Sequence, residues 1–290
     1  MKSQHPDLDT VYLYPSFSTV DFGFFRLLGP GLGNLMLPWA RCQVAAEQGQ
    51  GLLLSSTWPQ LKVGPWIRRE PDKRSYVRHF KREPGSISGT RKTQILLTGK
   101  RISEEAAVPT TKRPAVRLFS GPGRGFEDFS DSREFIRKRL LSISRQEHVP
   151  TDLSAPYVAV HVRLGDFASD PNRAALEQGE SNLRLPVSWY IEALASVARG
   201  PFRKLPVWLV SDGEPAELEP LVRTGAEVKV RSSALYDLWF LANAELVVAS
   251  ASSFSAWACF LGGQPAIWPS SQVPPGVFLW PNDGQLTVLE

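Results

Sequence analysis

The sequence predicts an α/β fold with parallel sheets, and three observations predict it. Residues 157–268 repeat short apolar runs, at 157–162, 206–210, 246–249 and 265–268, separated by segments with helical spacing. Short apolar strands alternating with helices are strands buried on both faces, which is the pattern of a parallel sheet covered by helices. Near the amino end a second instance stands alone, with an apolar run at 11–14, a glycine-rich turn, a helical stripe and another apolar run at 52–54. The stretch 148–156 is polar and holds Pro150 and Pro156, so it reads as a boundary between domains 1–150 and 151–290. At 290 residues and 42% hydrophobic, the chain can bury two medium cores without disulfide or metal staples.

In order along the chain, residues 11–14 read as a strand and 22–28 as a second, before the turn at Gly29, Gly31 and Gly33. Leu35, Trp39, Cys42 and Ala46 then recur at helical spacing. Pro38 fits if that helix begins near Asn34, because its missing amide then falls among first-turn donors that lack an internal partner anyway. Gly49 and Gly51 end the helix, and 52–54 is the next strand. Residues 59–125 read as largely irregular, with strands near 94–97 and 115–119. Asp131 and Glu134 have capping-box spacing, and the helix they would open carries Phe135, Arg139, Leu140 and Ile143 and ends around Glu147.

The second half is more regular. Residues 157–162 form a strand, 188–199 a helix capped by Ser188, 206–210 a strand and 228–230 a short one. A helix at 235–242, a strand at 246–249, a helix at 254–261 ending before Gly262 and Gly263, and a strand at 265–268 complete the alternation. In such sheets ligands bind beyond the carboxyl ends of the strands.

Composition excludes several classes. A formal charge of +4 is too small to argue for nucleic acid, and no nucleic-acid motif is present. Charge is concentrated, however: residues 62–101 hold twelve Lys or Arg against three acids, Glu70, Asp72 and Glu83. That excess suits an anionic partner or peripheral contact with a membrane surface, and equally a solvated face. Cys42 and Cys259 lie in separate apolar helical contexts and read as reduced core thiols. Residues 1–10 lack an apolar signal core, and no run approaches a membrane span, so a soluble cytoplasmic location is expected. Four histidines, His5, His79, His148 and His161, show no ligand pairing, and the one Asp-x-Asp, Asp7 and Asp9, sits in the polar tail, so no metal site is expected. No Gly-x-Ser-x-Gly supports a serine hydrolase.

Three constellations carry chemistry. In the run Val160, His161, Val162, Arg163, Leu164, Gly165, Asp166, strand alternation puts His161 and Arg163 on one face at a carboxyl end. An Arg there grips phosphoryl oxygens with its rigid fork, His161 adds a hydrogen bond or carries a proton, and Asp166 pins Arg163 or the next helix; a plain ion pair fits the spacing as well. At Gly29, Gly31, Gly33 and Asn34, glycines opening a helix let the backbone approach an anion, although an acid at the end of the next strand is missing. Ser250, Ser252, Ser253, Phe254 and Ser255 fall between a strand and a helix, where hydroxyls and amides suit phosphate or ribose, or simply cap the helix. Asp212 and Asp237 follow strand ends or open helices, and either carboxylate suits a guanine edge.

These pieces, in this order, resemble the inverting fucosyltransferases, specifically the alpha-1,2-fucosyltransferase family. Its Gly-Leu-Gly-Asn-Gln stands here as Gly31, Leu32, Gly33, Asn34, Leu35; its His-x-Arg-Arg-Gly-Asp is matched at His161, Arg163, Gly165 and Asp166, with Leu164 in place of the second Arg. Its Ser-x-Ser-Ser-Phe-Ser is complete at Ser250, Ser252, Ser253, Phe254 and Ser255. The resemblance spans residues 27–263 and implies a GT-B-like pair of Rossmann-like lobes, GDP-fucose as donor, an oligosaccharide or glycolipid acceptor on the amino-terminal lobe, and no metal or other cofactor. It places Arg163 and His161 at the pyrophosphate, the serine loop at phosphate and ribose, and Asp237 near guanine. For a single displacement Asp166 and His161 are the candidate bases, with donor binding as the alternative role of either. Leu164 leaves a second reading open, a binding protein that has kept the scaffold without turnover, and the basic stretch a third, an adaptor at a membrane surface.

Overall fold

Tyr12, Leu13 and Tyr14 are all buried in the first strand, β1 (Val11–Pro15), because both faces of its sheet are covered. Tyr12 and Tyr14 join Leu54, Ile95, Leu96 and Val116 on one face, and Leu13 joins Cys42, Ala45, Leu53 and Phe119 on the other. A computed structural model describes residues 10–61, 76–110, 112–151, 153, 155–164, 184–230, 232–269 and 286–289. The chain divides into two compact units, Met1–Arg145 and Gln146–Glu290.

In unit 1, β1 is followed by an antiparallel pair, β2 (Val20–Asp21) and β3 (Arg26–Leu27), where the sequence reads as one strand. Next come α1 (Leu32–Glu47), β4 (Leu52–Leu53), β5 (Gln60–Leu61), α2 (Gly89–Thr98), β6 (Lys100–Ser103), β7 (Ala115–Phe119) and α3 (Arg133–Ile143). The main sheet has the order β4-β1-β7-β6 and is parallel throughout, and β5 pairs parallel with β3. Several expectations are corrected. Residues 94–97 lie in a helix, not a strand: Ile95 and Leu96 are buried and Leu97 is exposed, and so short an apolar run cannot distinguish the two periods. Helix α1 begins at Leu32 with Gly31 as its cap, so Pro38 sits in the second turn, where its missing amide removes the bond to the Asn34 carbonyl. The helix persists because twelve of its sixteen residues are buried. Asp131 and Glu134 form no capping box, since a 3-10 stretch at Gly125–Ser132 runs into α3, which ends at Ile143 rather than near Glu147.

Unit 2 contains β8 (Val158–Val162), α4 (Val187–Arg199), β9 (Val207–Ser211), α5 (Pro215–Val222), β10 (Glu227–Val228), α6 (Ala234–Ala242), β11 (Leu246–Val248), α7 (Ser253–Gly262), β12 (Ala266–Pro269) and β13 (Leu286–Leu289). Its sheet is parallel throughout, in the order β10-β9-β8-β11-β12-β13. Val158, Val160 and Val162 pack with Tyr190, Leu194, Leu218 and Leu221 of α4 and α5, and Ser255 of α7 reaches the opposite face of β8. Helix α5 is absent from the sequence reading. Its first turn is set by a reciprocal cap between Glu214 and Glu217 with Pro215 between them, a capping box built on Glu instead of Ser or Thr. Ser188 does not cap α4; Pro186 precedes that helix, with no side-chain cap.

Each unit thus carries its own parallel sheet flanked by helices, the GT-B-like pair of Rossmann-like lobes that the sequence resemblance implies. Among the described residues no helix is long and apolar enough to cross a membrane.

Candidate functional site

Counted from β8, the strands of unit 2 run 3-2-1-4-5-6, so the chain leaves β8 toward β9 and β10 and then returns to the other side at β11. The two crossovers diverge above the carboxyl ends of β8 and β11, and a doubly wound sheet opens its ligand crevice at that point. The strongest sequence motif ends β8, and the serine motif follows β11. The topology therefore brings together two segments about ninety residues apart in sequence, which pair along the register Val158 to Leu246 through Val160 to Val248.

His161 is held firmly there. Its side chain faces away from the Val160 and Val162 side and is 5% exposed. Its Nδ1 lies 2.7 Å from Ser255 Oγ and 2.9 Å from Ser250 Oγ, and its ring centroid is 5.2 Å from that of Phe254. Ser255 Oγ also accepts the Ser250 amide at 3.1 Å, so the loop and the imidazole form one hydrogen-bonded unit. Burial, reinforced by the nearby Arg163 charge and opposed by Asp212, lowers the imidazole pKa to about 4. At neutral pH the ring is uncharged, so it offers hydrogen bonds and not a proton reservoir, which narrows the role expected of it.

Arg163 follows β8 directly. Its Nη1 is 3.0 Å from Asp212 Oδ2, and the Asp212 Oδ1 accepts the Leu164 amide at 2.8 Å. Asp212 follows β9, the neighbouring strand, so one carboxylate ties the guanidinium and the backbone of the β8 loop together. The two side chains are 23% and 32% exposed, so the pair is partly open to solvent and not sealed in the core. The expected partner, Asp166, lies outside the described residues, as does Gly165; the visible anchor is Asp212, a pairing that sequence spacing gives no means of finding.

Leu164 turns the other way. It is buried with Val160 and Val162 in the cluster under α4 and α5. A Cβ added at Gly213 would stand 2.4 Å from Leu164 Cδ1, so the glycine makes room for this leucine. The position occupied by a second Arg in the resembled family is thus part of the apolar core here.

In the serine loop, Ser252 caps α7 by accepting the Ser255 amide at 3.2 Å. Ser250 and Ser255 are buried, whereas Ser252, Ser253 and Phe254 are partly exposed. Ser255 is accordingly a support for His161, the Ser252 hydroxyl is shared with Ser250 Oγ at 2.9 Å, and Ser253 and Phe254 are partly exposed beside it. The first-turn amides of α7 have no intrahelical acceptor, and the turn itself carries no acid, so its positive end favours an anion.

The other predicted residues stand on separate elements. Asp237, in the first turn of α6, receives Lys229 Nζ at 3.3 Å, and Lys229 also lies over the rings of Tyr236 at 4.3 Å and Phe240 at 5.1 Å. Lys229 follows β10, two strands away from β8. Gly31, Gly33 and Asn34 belong to unit 1: Gly31 caps α1 with an extended backbone, Gly33 is buried and Asn34 is exposed at the start of the helix. No group of three or more His, Cys, Asp or Glu able to hold a metal ion occurs among the described residues.

Neither a family model nor a curated protein sequence matches the chain. Solved structures do. The chain is similar to the NodZ alpha-1,6-fucosyltransferase soaked with GDP-fucose, at 14% identity and a TM-score of 0.51, over 87% of this chain and 92% of that one. It is similar also to the fucosyltransferase NodZ from Bradyrhizobium, at 13% identity and a TM-score of 0.51, over 86% and 91% of the two chains. At these identities the likeness establishes a shared fold that extends over both units.

Proposed function

We propose that this chain is an inverting glycosyltransferase that moves fucose from GDP-fucose to a hydroxyl of an oligosaccharide or glycolipid acceptor, in alpha-1,2 linkage. Unit 2 holds the donor diphosphate and unit 1 the acceptor. The observation that carries the reading is Arg163, fixed by Asp212 at the strand switch point, beside His161 and the serine loop. The fold shared with a fucosyltransferase studied with GDP-fucose supports the donor, and the three sequence motifs support the linkage.

The chemistry follows from the charge. An acceptor oxygen attacks the anomeric carbon as the bond to the diphosphate breaks, and negative charge grows on the departing oxygens. Arg163 and the first-turn amides of α7 offer cationic and dipolar stabilisation that strengthens as that charge develops, so they act on the rate more than on ground-state affinity. Ser252 and Ser253 supply hydroxyls to the phosphates or ribose, and Phe254 an apolar face. His161 is a neutral hydrogen-bonding partner whose orientation Ser250 and Ser255 fix. Asp237 is the guanine contact in this reading, and the base must compete with Lys229 for it. Gly31, Gly33 and Asn34 contribute from unit 1, and Asp166 remains a proposed proton acceptor.

The alternative, a scaffold that binds without turnover, rests on Leu164. Because that side chain packs into the core, its apolar character matches its surroundings, and its presence does not mark an outward-facing cation that has been lost. Nucleotide binding tests the donor assignment. GDP raises the unfolding temperature more than UDP at equal concentration, since a ligand specific to the folded state stabilises it by mass action; equal or absent shifts reject GDP recognition. Release of GDP from GDP-fucose on addition of a glycan separates transfer from binding alone.

A further inference from the structure

Unit 1 holds a second polar arrangement that the donor site does not use. Lys92, one turn into α2, is 2% exposed, and its Nζ donates to Thr57 Oγ1 at 2.9 Å. Thr57 Oγ1 lies 2.6 Å from the Tyr14 hydroxyl, and Tyr14 donates to Asp21 Oδ2 in a short bond. Lys92 Nζ also sits 5.0 Å from the centre of the Tyr14 ring. With the ammonium at one end and the carboxylate at the other, each hydroxyl donates in the same direction, so the bonds polarise one another toward Asp21. Tyr14 keeps its proton, because burial and the Asp21 charge raise its pKa well above the ordinary value.

Lys92, Thr57 and Tyr14 are all buried, and Asp21 is the one member that reaches the surface. Burying an ammonium costs several kcal/mol in general, and well-packed apolar residues of the same size commonly do as well for stability. A row of buried donors that ends on an accessible carboxylate is therefore better explained by what the carboxylate receives. Its place agrees. Thr57 and Asp21 lie beyond the carboxyl ends of β4 and β1, and β1 borders the switch point of its own sheet, between β1 and β7.

Asp21 also opens the turn between β2 and β3, where Phe22 is 48% exposed and Phe24 66% exposed. Their rings are braced on Phe25, with centroids 4.7 and 5.0 Å away. The fully buried Arg26, paired with Asp21 across the hairpin, donates to the Thr57 carbonyl at 3.2 Å and the Leu28 carbonyl at 2.7 Å, and Asp21 Oδ1 accepts the Gly23 amide at 2.7 Å. The hairpin therefore carries two exposed phenyl rings, each braced on Phe25, in the same turn as an oriented carboxylate. An ionised carboxylate has about four lone-pair sites, and these two contacts leave capacity for further donors.

We propose that Asp21, Phe22 and Phe24 form a binding site for a sugar ring, with a ring hydroxyl donating to Asp21 and the apolar C–H face lying on the phenyl groups. A pyranose fits because it combines an apolar face with hydroxyl donors at its rim; a lipid chain would leave Asp21 unanswered, and a cation would leave the rings unused. Calling this sugar the acceptor rests on the transferase reading, whereas the site itself does not.

Saturation-transfer NMR on the full chain tests it, using the methyl glycosides of galactose, glucose and N-acetylglucosamine as probes. At least one glycoside receives saturation at its ring protons, and Asp21→Asn and Phe24→Ser each weaken it by about tenfold, the scale of one hydrogen bond to a charged group or one lost apolar face. Phe24 is exposed, and Asn at position 21 keeps an oxygen that accepts from Tyr14, so these variants fold, which circular dichroism checks. Tyr14→Phe moves the Asp21 carboxyl 13C resonance and weakens the same glycoside, while the packing change Leu96→Val does neither. GDP binding stays at its original affinity in all four variants, so failure of the donor reading and failure of this site are distinguishable. Binding of no glycoside, or undiminished binding in Asp21→Asn and Phe24→Ser, overturns the proposal.

Discussion

His161 gives unit 2 an acid sensitivity whose size follows from its surroundings. In the unfolded chain an imidazole takes up a proton near pH 6.5, but in the fold burial among Ser250, Ser255 and Phe254, next to Arg163, holds it to about 4. Above pH 6.5 both states are neutral and the group is without effect. As pH falls through that interval the unfolded state binds a proton that the folded state refuses, so stability declines, and the decline is complete once pH passes below the folded value. At about 1.4 kcal/mol per pH unit, the loss reaches roughly 2.5 kcal/mol by about pH 4.5. Carboxylates titrate in the same region, so the informative quantity is the difference between the wild type and His161→Asn. Urea unfolding at about pH 7 and about pH 4.5 measures it: the wild type loses roughly 2.5 kcal/mol more than the variant. With four histidines in the chain, the assigned His161 ring signal can be followed as well, and it stays unprotonated at a pH where an exposed imidazole is fully charged. Parallel losses in the two proteins, or a ring that titrates near 6.5, would refute the reasoning.

Leu164→Arg places an unpaired charge in the α4 and α5 core and destabilises unit 2 by about 3–5 kcal/mol or prevents folding; an exposed, stable variant in urea melts would contradict the burial. Gly213→Ala drives a Cβ to within 2.4 Å of Leu164 Cδ1 and costs about 1–3 kcal/mol, much of it recovered in the double variant with Leu164→Ala, as a denaturation cycle would show. Asp212→Asn changes stability by no more than about 1 kcal/mol, because its ion pair is partly exposed, yet it lowers GDP-fucose turnover by releasing Arg163; unaltered kinetics would mean that the carboxylate anchors nothing of consequence.

Much of this was legible in the residues, and the gaps have physical causes. The apolar runs of unit 2 mark their strands because burial on both faces leaves no alternation to disguise them, and Val158–Val162 and Leu246–Val248 fall where the sequence puts them. Four apolar-rich residues at 94–97 carry too little length to separate a strand from a helix, and α2 is the result. Helix α5 opens on Glu and Pro and carries Pro220 inside, a composition that reads as loop until Leu218 and Leu221 are seen to fill the core. Within the candidate site, strand alternation puts His161 on the side away from Val160 and Val162, where Ser255 meets it. The Arg163 to Asp212 pair spans two strands, and the Lys229 to Asp237 pair depends on a turn after an edge strand, so neither is encoded in local spacing. The inward direction of Ser255 has the same origin, since a serine motif does not reveal which hydroxyls face a neighbouring strand. The row from Lys92 to Asp21 joins four segments and becomes visible only when the sheet is assembled.

The donor assignment turns on one guanidinium, so the most direct measurement is GDP release from GDP-fucose by Arg163→Ala, with folding verified by an unchanged urea midpoint. Turnover falls by about a hundredfold or more, with a smaller change in GDP affinity, because the stabilised charge appears as the bond breaks. A folded Arg163→Ala protein that releases GDP at the wild-type rate would contradict it.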